Sequence, residues 1–266
     1  MPVNSMWIDD VVAKLRRAEE HFDSLKNEIR RWHETRPYRI VKKVNFDCTR
    51  YSAIVRMSNP PDLRRWSVIA SDCFHNLRSS LDYLVYAVAI QESSMNPPPD
   101  CGNLQFPITD DPAKFESTRW RIKSLSSKMQ TVLESIQPYN RSHPSLPPLL
   151  TILRDFDNSD KHRLLHVMLT RSPQGKFGDV RNIPPGATFT IDIVAGDIVD
   201  KTEVAALVFD VSAPDVQYKF EADFVVTMTH ASFPPGNATW SDIGAVLIRI
   251  IPEVRYIIDV ISIAVA

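Results

Sequence analysis

The chain has 266 residues, 44% hydrophobic and 24% charged, which is enough apolar material for a sizeable core and excludes disordered and disulfide-miniprotein classes. Its 31 basic and 32 acidic residues nearly cancel, yet residues 1–172 carry a net charge of +5 and residues 173–266 one of −6. Glycine is scarce, at seven residues, and neither GxGxxG nor GxxxxGK[ST] occurs. We therefore expect no nucleotide cofactor, and nothing else in the sequence calls for another cofactor.

The cysteines and the residues at both ends of the chain indicate where in the cell the protein is expected. The three cysteines show no CxxC spacing, and the first residues lack a basic region followed by an apolar one. The apolar stretch from 243 to 266 is interrupted by charged residues before the roughly 20 apolar residues of a membrane span are reached. These features predict a cytoplasmic protein without a membrane segment.

A heptad-like pattern runs through the first 36 residues. The apolar positions alternate at spacings of four and three: Val11, Leu15, Ala18, Phe22, Leu25, Ile29 and Trp32. This pattern predicts a long helix that ends before Pro37 and lies along a bundle or pairs with a second copy of the chain. A homodimer through this seam is one predicted partner.

Alternating residues over 39–57 predict a β-hairpin that lies in the most basic stretch of the chain. Eight Lys and Arg residues fall between Arg36 and Arg65, and Lys42 and Lys43 are candidate ligand-binding residues. Such a patch attracts phosphate, so nucleic acid is a possible partner. It is also explained by a solvated hairpin face, or by docking of the acidic half of the same chain.

The remaining pattern predicts an α+β protein. Helices are expected over about 63–90, 112–122, 127–137 and 146–162, with Asp62 and Asp111 as N-caps, and a final helix follows Trp240. Four strands are expected over 164–170, 187–194, 203–210 and 217–229. We predict an N-terminal helical bundle over 1–163 with the inserted hairpin, then a mostly antiparallel four-stranded sheet and a C-terminal packing helix over 164–266. The two parts are expected to pack as one compact unit.

Two segments carry polar residues that share a helix face. The first presents Asp72, His75, Asn76, Ser79 and Asp82, with Arg78 at the edge. The second presents Asp155, Asn158, Ser159, His162 and His166, with Asp160 and Arg163 in the same segment. If the two helices face each other, these residues form a polar layer.

Three interpretations of this layer stay open. As a catalytic site, its candidates are His75, Arg78, Asp82, His162 and Arg163, because His among carboxylates is tuned for acid–base chemistry; Asp72, Asn76, Asn158 and Asp160 would bind ligand. As a structural network, the same residues pair with one another. A weaker alternative is a metal site of Asp155, His162 and His166.

The residues D-C-F-H-N-L-R-S-S-L-D-Y-L-V-Y, F-P-I, Q-P-Y and D-N-S-D-K-H-R-L-L resemble a group of bacterial proteins of similar length. The resemblance covers most of residues 60–170 and implies no particular activity. A more remote resemblance is to HEPN domains, helical bundles that are often RNases with an Arg and a His spaced as Rx4-6H. Arg78 has no His at that spacing, and seven residues separate Arg154 from His162.

The leading functional prediction is a binding or assembly module built around the polar layer. A metal-independent HEPN-like RNase is the first alternative, with His162 or His75 as general base and Arg78 or Arg163 stabilising phosphorane charge. A metal-binding helical bundle is the second.

Overall fold

A computed structural model describes residues 5–141, 148–160, 165, 167–171, 176–194, 196–228 and 242–265. The chain divides into two compact units, each assembled from separate stretches of sequence. We call residues 1–25, 67–165 and 244–266 the helical unit, and residues 26–66 and 166–243 the sheet unit. The two predicted parts, 1–163 and 164–266, each contribute chain to both units.

Long helices begin and end the described chain. Helix α1 spans Ser5–Glu34, α2 Leu63–Ser93, α3 Pro112–Thr118, α4 Ser127–Ser135, α5 Leu149–Asp160 and α6 Ile243–Val265, with short 3₁₀ turns at Arg119–Ile122 and Pro138–Asn140. The predicted N-caps are confirmed, since the Asp62 carboxylate accepts the Arg65 amide and the Asp111 carboxylate accepts the Ala113 amide.

The apolar stripes predicted for α1 and α6 form core in the helical unit. Residues Val11 to Leu25 of the α1 seam are buried, as is the α6 stripe of Val246, Leu247, Ile250, Ile251, Val254, Ile257, Ile258 and Ile261. Helix α2 packs closely on α1, with the Cys73 thiol 3.2 Å from the Ala18 carbonyl. The part of the seam from Val11 to Leu25 is therefore buried within a single chain, whereas Ile29 is half-buried.

The sheet unit contains antiparallel pairings only, among the strands that the structure describes. The strands are β1 Tyr38–Val44, β2 Arg50–Met57, β3 Val167–Arg171, β4 Lys176–Arg181, β5 Phe189–Ile193, β6 Glu203–Phe209, β7 Gln217–Glu221 and β8 Phe224–Met228. The four-stranded sheet has the order β1-β2-β6-β5, and β3-β8 and β4-β7 form two-stranded ladders.

The α+β class, the N-terminal helices, the hairpin, the four-stranded sheet and the C-terminal helix are confirmed. The strand membership differs from the prediction, since the four-stranded sheet takes two strands from the hairpin and two from the later segment. The reason is that β2 is a buried strand, with Tyr51, Ala53 and Val55 covered, and its second edge needs a hydrogen-bonding partner. Strand β6 is that partner. Strand β4 was not predicted, and 217–229 is two strands rather than one.

Candidate functional site

A buried segment without regular secondary structure, Phe106–Thr109, lies in the helical unit. Buried backbone N–H and C=O groups require hydrogen-bond partners. Helix α2 provides two of them: the Phe106 amide donates to the Asp82 carboxylate at 2.9 Å, and Arg78 Nη2 donates to the Phe106 carbonyl at 2.6 Å. Arg78 Nη2 also donates to Asp82 Oδ1 at 2.8 Å. The Arg78–Asp82 pair thus holds one residue of the segment by both backbone groups.

Two further side chains also hydrogen-bond to the backbone of this segment. Gln137, which follows α4, donates to the Pro107 carbonyl at 2.9 Å and accepts the Thr109 amide at 3.0 Å. Arg154 of α5 donates to the Ile108 carbonyl at 3.4 Å. The residues that carried the bacterial resemblance, in the α2 segment, F-P-I and Q-P-Y, are therefore one hydrogen-bonded structure.

Arg78 is nearly fully enclosed, with 7% of its side chain exposed. Burial lowers the pKa of its guanidinium, while the charges of Asp82 and Asp157 oppose that shift. Its Nη1 atom is buried and has no hydrogen-bond partner among the described residues. The predicted role of Arg78 in stabilising phosphorane charge requires a guanidinium that substrate can reach, whereas this guanidinium is almost fully buried.

The two predicted polar segments do meet, through His75 and Asp157. His75 Nδ1 lies 3.2 Å from Asp157 Oδ1, and Ser79 Oγ lies 3.4 Å from His75 Nε2. The neighbouring Phe74 and Phe156 rings stack with centroids 5.0 Å apart, which fixes α2 against α5. Asp157 is 2% exposed and His75 is 55% exposed, so a buried carboxylate orients a half-exposed imidazole.

The other predicted residues of the layer are dispersed. Asp72 is exposed, and its backbone carbonyl accepts a hydrogen bond from the Asn76 side chain at 2.7 Å. Asn158 is exposed on α5, and Asp155 accepts a hydrogen bond from Arg154. His162, Arg163 and His166 lie outside the described residues, as does the side chain of Asp160.

Asp157 itself was missed by sequence reasoning, which assigned Asp155 and Asn158 to the facing surface. The available signal was its position in the apolar stripe of α5, four residues after the buried Leu153 and seven after the buried Leu150. A carboxylate in an apolar stripe is more informative than a run of exposed polar residues.

The metal alternative gains no support from the described part of the chain, in which no group of three His, Cys, Asp or Glu residues could hold an ion. Two of its three predicted ligands, His162 and His166, lie outside that part. A helix long and apolar enough to cross a membrane is likewise not found among the described residues.

A second candidate site is a cleft of about 440 Å³ in the sheet unit, lined by β1, β4 and β7. We call it the basic cleft. Its charged lining consists of four cations and one carboxylate, which gives a net charge of +3: Lys42, Lys43, Arg181, Lys219 and Asp179. Its volume lies within the usual range for ligand sites. The candidate residues Lys42 and Lys43 therefore lie together with two cations that are distant in sequence.

The basic cleft has a buried aromatic floor and an exposed charged rim. Tyr51 and Tyr218 are buried, and their rings contact edge to face at 5.9 Å. Burial, assisted by the neighbouring Tyr51, raises the pKa of Tyr218 to about 12, so its phenol stays neutral. The Lys42 ammonium donates to the Tyr218 carbonyl and lies 4.4 Å from the centroid of its ring.

The rim is shaped by an irregularity in β4. The pairing of β4 with β7 shifts register between Gly178 and Arg181, and Asp179 there has a positive φ of 55°. Bulges of this kind redirect side chains and occur often beside functional sites. The Asp179 carboxylate accepts a hydrogen bond from Arg181 at 2.7 Å, whereas no ion pair joins Lys43 or Lys219 to a carboxylate within the described ranges.

Two arginines of the basic stretch are paired with carboxylates. Arg50 pairs with Asp192 at 2.9 Å and with Glu203, and Arg56 lies 3.7 Å from Asp200. For these residues the acidic half of the chain is the partner, which was one of the open interpretations. Lys42 and Lys43 instead face the basic cleft. Arg181 and Lys219 were missed, because β4 has a weak strand pattern; the alternation around Lys219, with Tyr218 and Phe220 beside it, was the available signal.

Comparisons with known proteins add no relative: no protein-family model, curated protein or solved structure matches this chain.

Proposed function

We propose that this protein is a binding module for a phosphate-bearing polyanion, and that the basic cleft is its recognition site. The observation that carries the proposal is the convergence of Lys42, Lys43, Arg181 and Lys219 on one cavity that holds a single carboxylate. Cations separated by up to 177 positions in sequence are brought together here, although the whole chain is close to neutral. Like charges repel, so a cluster of them favours an anionic ligand.

Within this proposal the cations have different roles. Lys42 is held by the backbone and ring of Tyr218, so it supplies a fixed charge and also stabilises the cleft floor. Lys43 on β1 and Lys219 on β7 are both exposed and line the cleft, so they are the side chains best placed to contact phosphate oxygens. The polar layer has another task in this account, because Arg78 and Asp82 hold the buried segment Phe106–Thr109.

Calorimetric titration with inorganic polyphosphate at low salt tests the proposal. The Lys43→Gln/Lys219→Gln variant is expected to bind at least about tenfold more weakly, since two charge-assisted contacts are lost. The matched control is Arg31→Gln/Arg64→Gln, which removes two exposed charges of the sheet unit that do not line the cleft. Wild-type protein that does not bind polyphosphate, or equal weakening in both variants, contradicts the proposal.

A second candidate function rests on the His75–Asp157 pair. A half-exposed imidazole oriented by a buried carboxylate is suited to general acid–base catalysis, and the HEPN-like RNase prediction needs such a base. In this alternative His75 takes the proton, and Arg78 has no part.

Cleavage of single-stranded RNA in the presence of a chelator tests this alternative. His75→Gln should lower the rate by about 10²–10⁴, the usual contribution of a positioned acid–base group, while the control His33→Gln should not. Absence of cleavage by the wild type, or equal rates in both variants, contradicts it.

A further inference from the structure

The tip of the hairpin presents an aromatic ring to solvent. Phe46 follows β1 in the turn between β1 and β2, and it is 100% exposed. It lies two residues after Val44, itself 45% exposed and part of the lining of the basic cleft. Two residues of chain span at most about 7 Å, so the Phe46 backbone lies within that distance of the cleft lining and its exposed side chain extends from there into solvent.

The turn that carries Phe46 is rigidly held. The Asn45 side-chain carbonyl accepts the amides of Thr49 and Arg50, each at 2.9 Å, and the Cys48 amide donates to the Asn45 carbonyl at 3.2 Å. The Cys48 carbonyl in turn accepts the Ala213 amide at 2.9 Å. An exposed phenyl ring on a fixed turn costs little conformational entropy when it contacts a ligand.

We infer that the polyanion bound at the basic cleft is a single-stranded nucleic acid, with Phe46 stacking on an unpaired base while the cleft cations contact its phosphates. This inference rests on the proposed function. Cationic grooves beside exposed aromatic rings are the common means of binding single strands, because every base has a π-face. A duplex keeps its bases stacked inside the helix, so it cannot offer one to Phe46.

The combination of cleft cations and an exposed ring favours this partner over a phosphate-only ligand. Inorganic polyphosphate uses Lys43 and Lys219 but gives Phe46 nothing to contact. A single strand satisfies both the charge of the cleft and the exposed apolar ring at its edge.

The test compares two probes and two variants. A fluorescently labelled 12-nucleotide oligouridylate and inorganic polyphosphate are each titrated against wild type, Phe46→Leu and Phe46→Trp. Phe46→Leu is expected to weaken oligonucleotide binding by between about 5-fold and 150-fold, the range of one base–aromatic stack, and to leave polyphosphate binding unchanged. Phe46→Trp should retain oligonucleotide affinity. The fluorescence of the added Trp should be quenched by the oligonucleotide and not by polyphosphate.

The outcomes separate the two proposals. If wild type binds neither probe, the proposed function fails. If wild type binds both and Phe46→Leu binds the oligonucleotide as tightly as wild type, the nucleic-acid inference fails while the proposed function stands. The nucleic-acid inference would also be overturned if Phe46→Leu weakened binding to anionic lipid vesicles and left oligonucleotide binding unchanged. Unchanged thermal melting of Phe46→Leu, expected for a fully exposed residue, shows that its folding is intact.

Discussion

Replacing Asp82 by alanine should release the buried segment Phe106–Thr109 from α2. The carboxylate makes two contacts that alanine cannot replace, to the Phe106 amide at 2.9 Å and to Arg78 Nη2 at 2.8 Å. Arginine side chains stay charged in proteins. The substitution therefore leaves the Arg78 guanidinium, which is 7% exposed, without its ion-pair partner. The buried Phe106 amide also loses its acceptor.

The expected cost follows from these contacts. Breaking a buried ion pair by removing one partner costs about 3–5 kcal/mol. Asp82 is 28% exposed and Arg78 keeps its bond to the Phe106 carbonyl, so the lower end, about 3 kcal/mol, applies. Asp82→Asn retains an acceptor oxygen for the Phe106 amide and should cost less. Glu20→Ala is the matched control, because it breaks an exposed pair with Arg17 of 2.9 Å, close to the 2.8 Å of the Arg78–Asp82 pair, and should cost no more than about 1 kcal/mol.

Two measurements check this prediction. Urea denaturation gives the change in the free energy of unfolding, with an unchanged m-value expected. Amide hydrogen exchange at Phe106 reports the local effect, and Asp82→Ala should accelerate it by about 150-fold if the full 3 kcal/mol is expressed there. Asp82→Ala protein as stable as Glu20→Ala, with Phe106 exchange unchanged, would refute the structural role assigned to the Arg78–Asp82 pair.

Three further predictions concern single side chains. Leu77→Ala should cost about 2–5 kcal/mol in urea denaturation because Leu77 is fully buried, and Ser79→Ala, on the partly exposed side of the same helix, should cost less than half as much; equal losses would contradict the burial difference. Burial, with a smaller effect of the Asp72 charge, raises the pKa of the Cys73 thiol to about 12. Iodoacetamide at pH 8 should therefore alkylate the exposed Cys101 and spare Cys73 in the native protein. Rapid labelling of both cysteines would be inconsistent with the burial of Cys73. Burial lowers the pKa of His33, against the opposing charge of Asp223, so the folded state resists protonation of this side chain. The free energy of unfolding should therefore fall as the pH drops below 6.5. His33→Gln should narrow the difference in Tm between pH 7.5 and 5.5, and an unchanged difference would contradict this role of His33.

The fold class was predictable because each strongly periodic segment shows, within its own sequence, which of its faces is buried. The α1 seam, the hairpin and the α6 stripe each show one apolar face over many residues, and all three elements are observed. Strand partnership was not predictable in the same way. The hairpin pairs with β6 through β2, and the alternation of β2 specifies a buried face without specifying which later strand covers its edge.

The polar layer shows which part of a site a sequence can specify. Helical spacing correctly placed His75 and Ser79 on one side of α2, and it correctly brought α2 and α5 together. It did not distinguish Arg78 and Asp82, which hold the buried segment, from side chains that face solvent. That distinction depends on Phe106–Thr109, an irregular segment whose path has no periodic signature and whose backbone groups recruit Arg78, Asp82 and Gln137.

The basic cleft was half predictable for a related reason. Lys42 and Lys43 stand out in a locally basic stretch, whereas Lys219 and Arg181 lie in a half of the chain that is acidic on average. The pairing of β4 with β7 brings Arg181 and Lys219 together, and the Lys42 hydrogen bond to Tyr218 joins β1 to them. Charge counted along the sequence does not report such charge gathered in space.

The central claim, that the basic cleft binds the phosphates of a polyanion, is tested most directly by the salt dependence of oligouridylate binding. For a single strand, log K falls with log salt by about 0.7 per phosphate contact. Lys43→Gln/Lys219→Gln should therefore reduce the slope by about 1.4 relative to wild type, while Arg31→Gln/Arg64→Gln leaves it unchanged. Equal slopes for wild type and the cleft variant would contradict the claim.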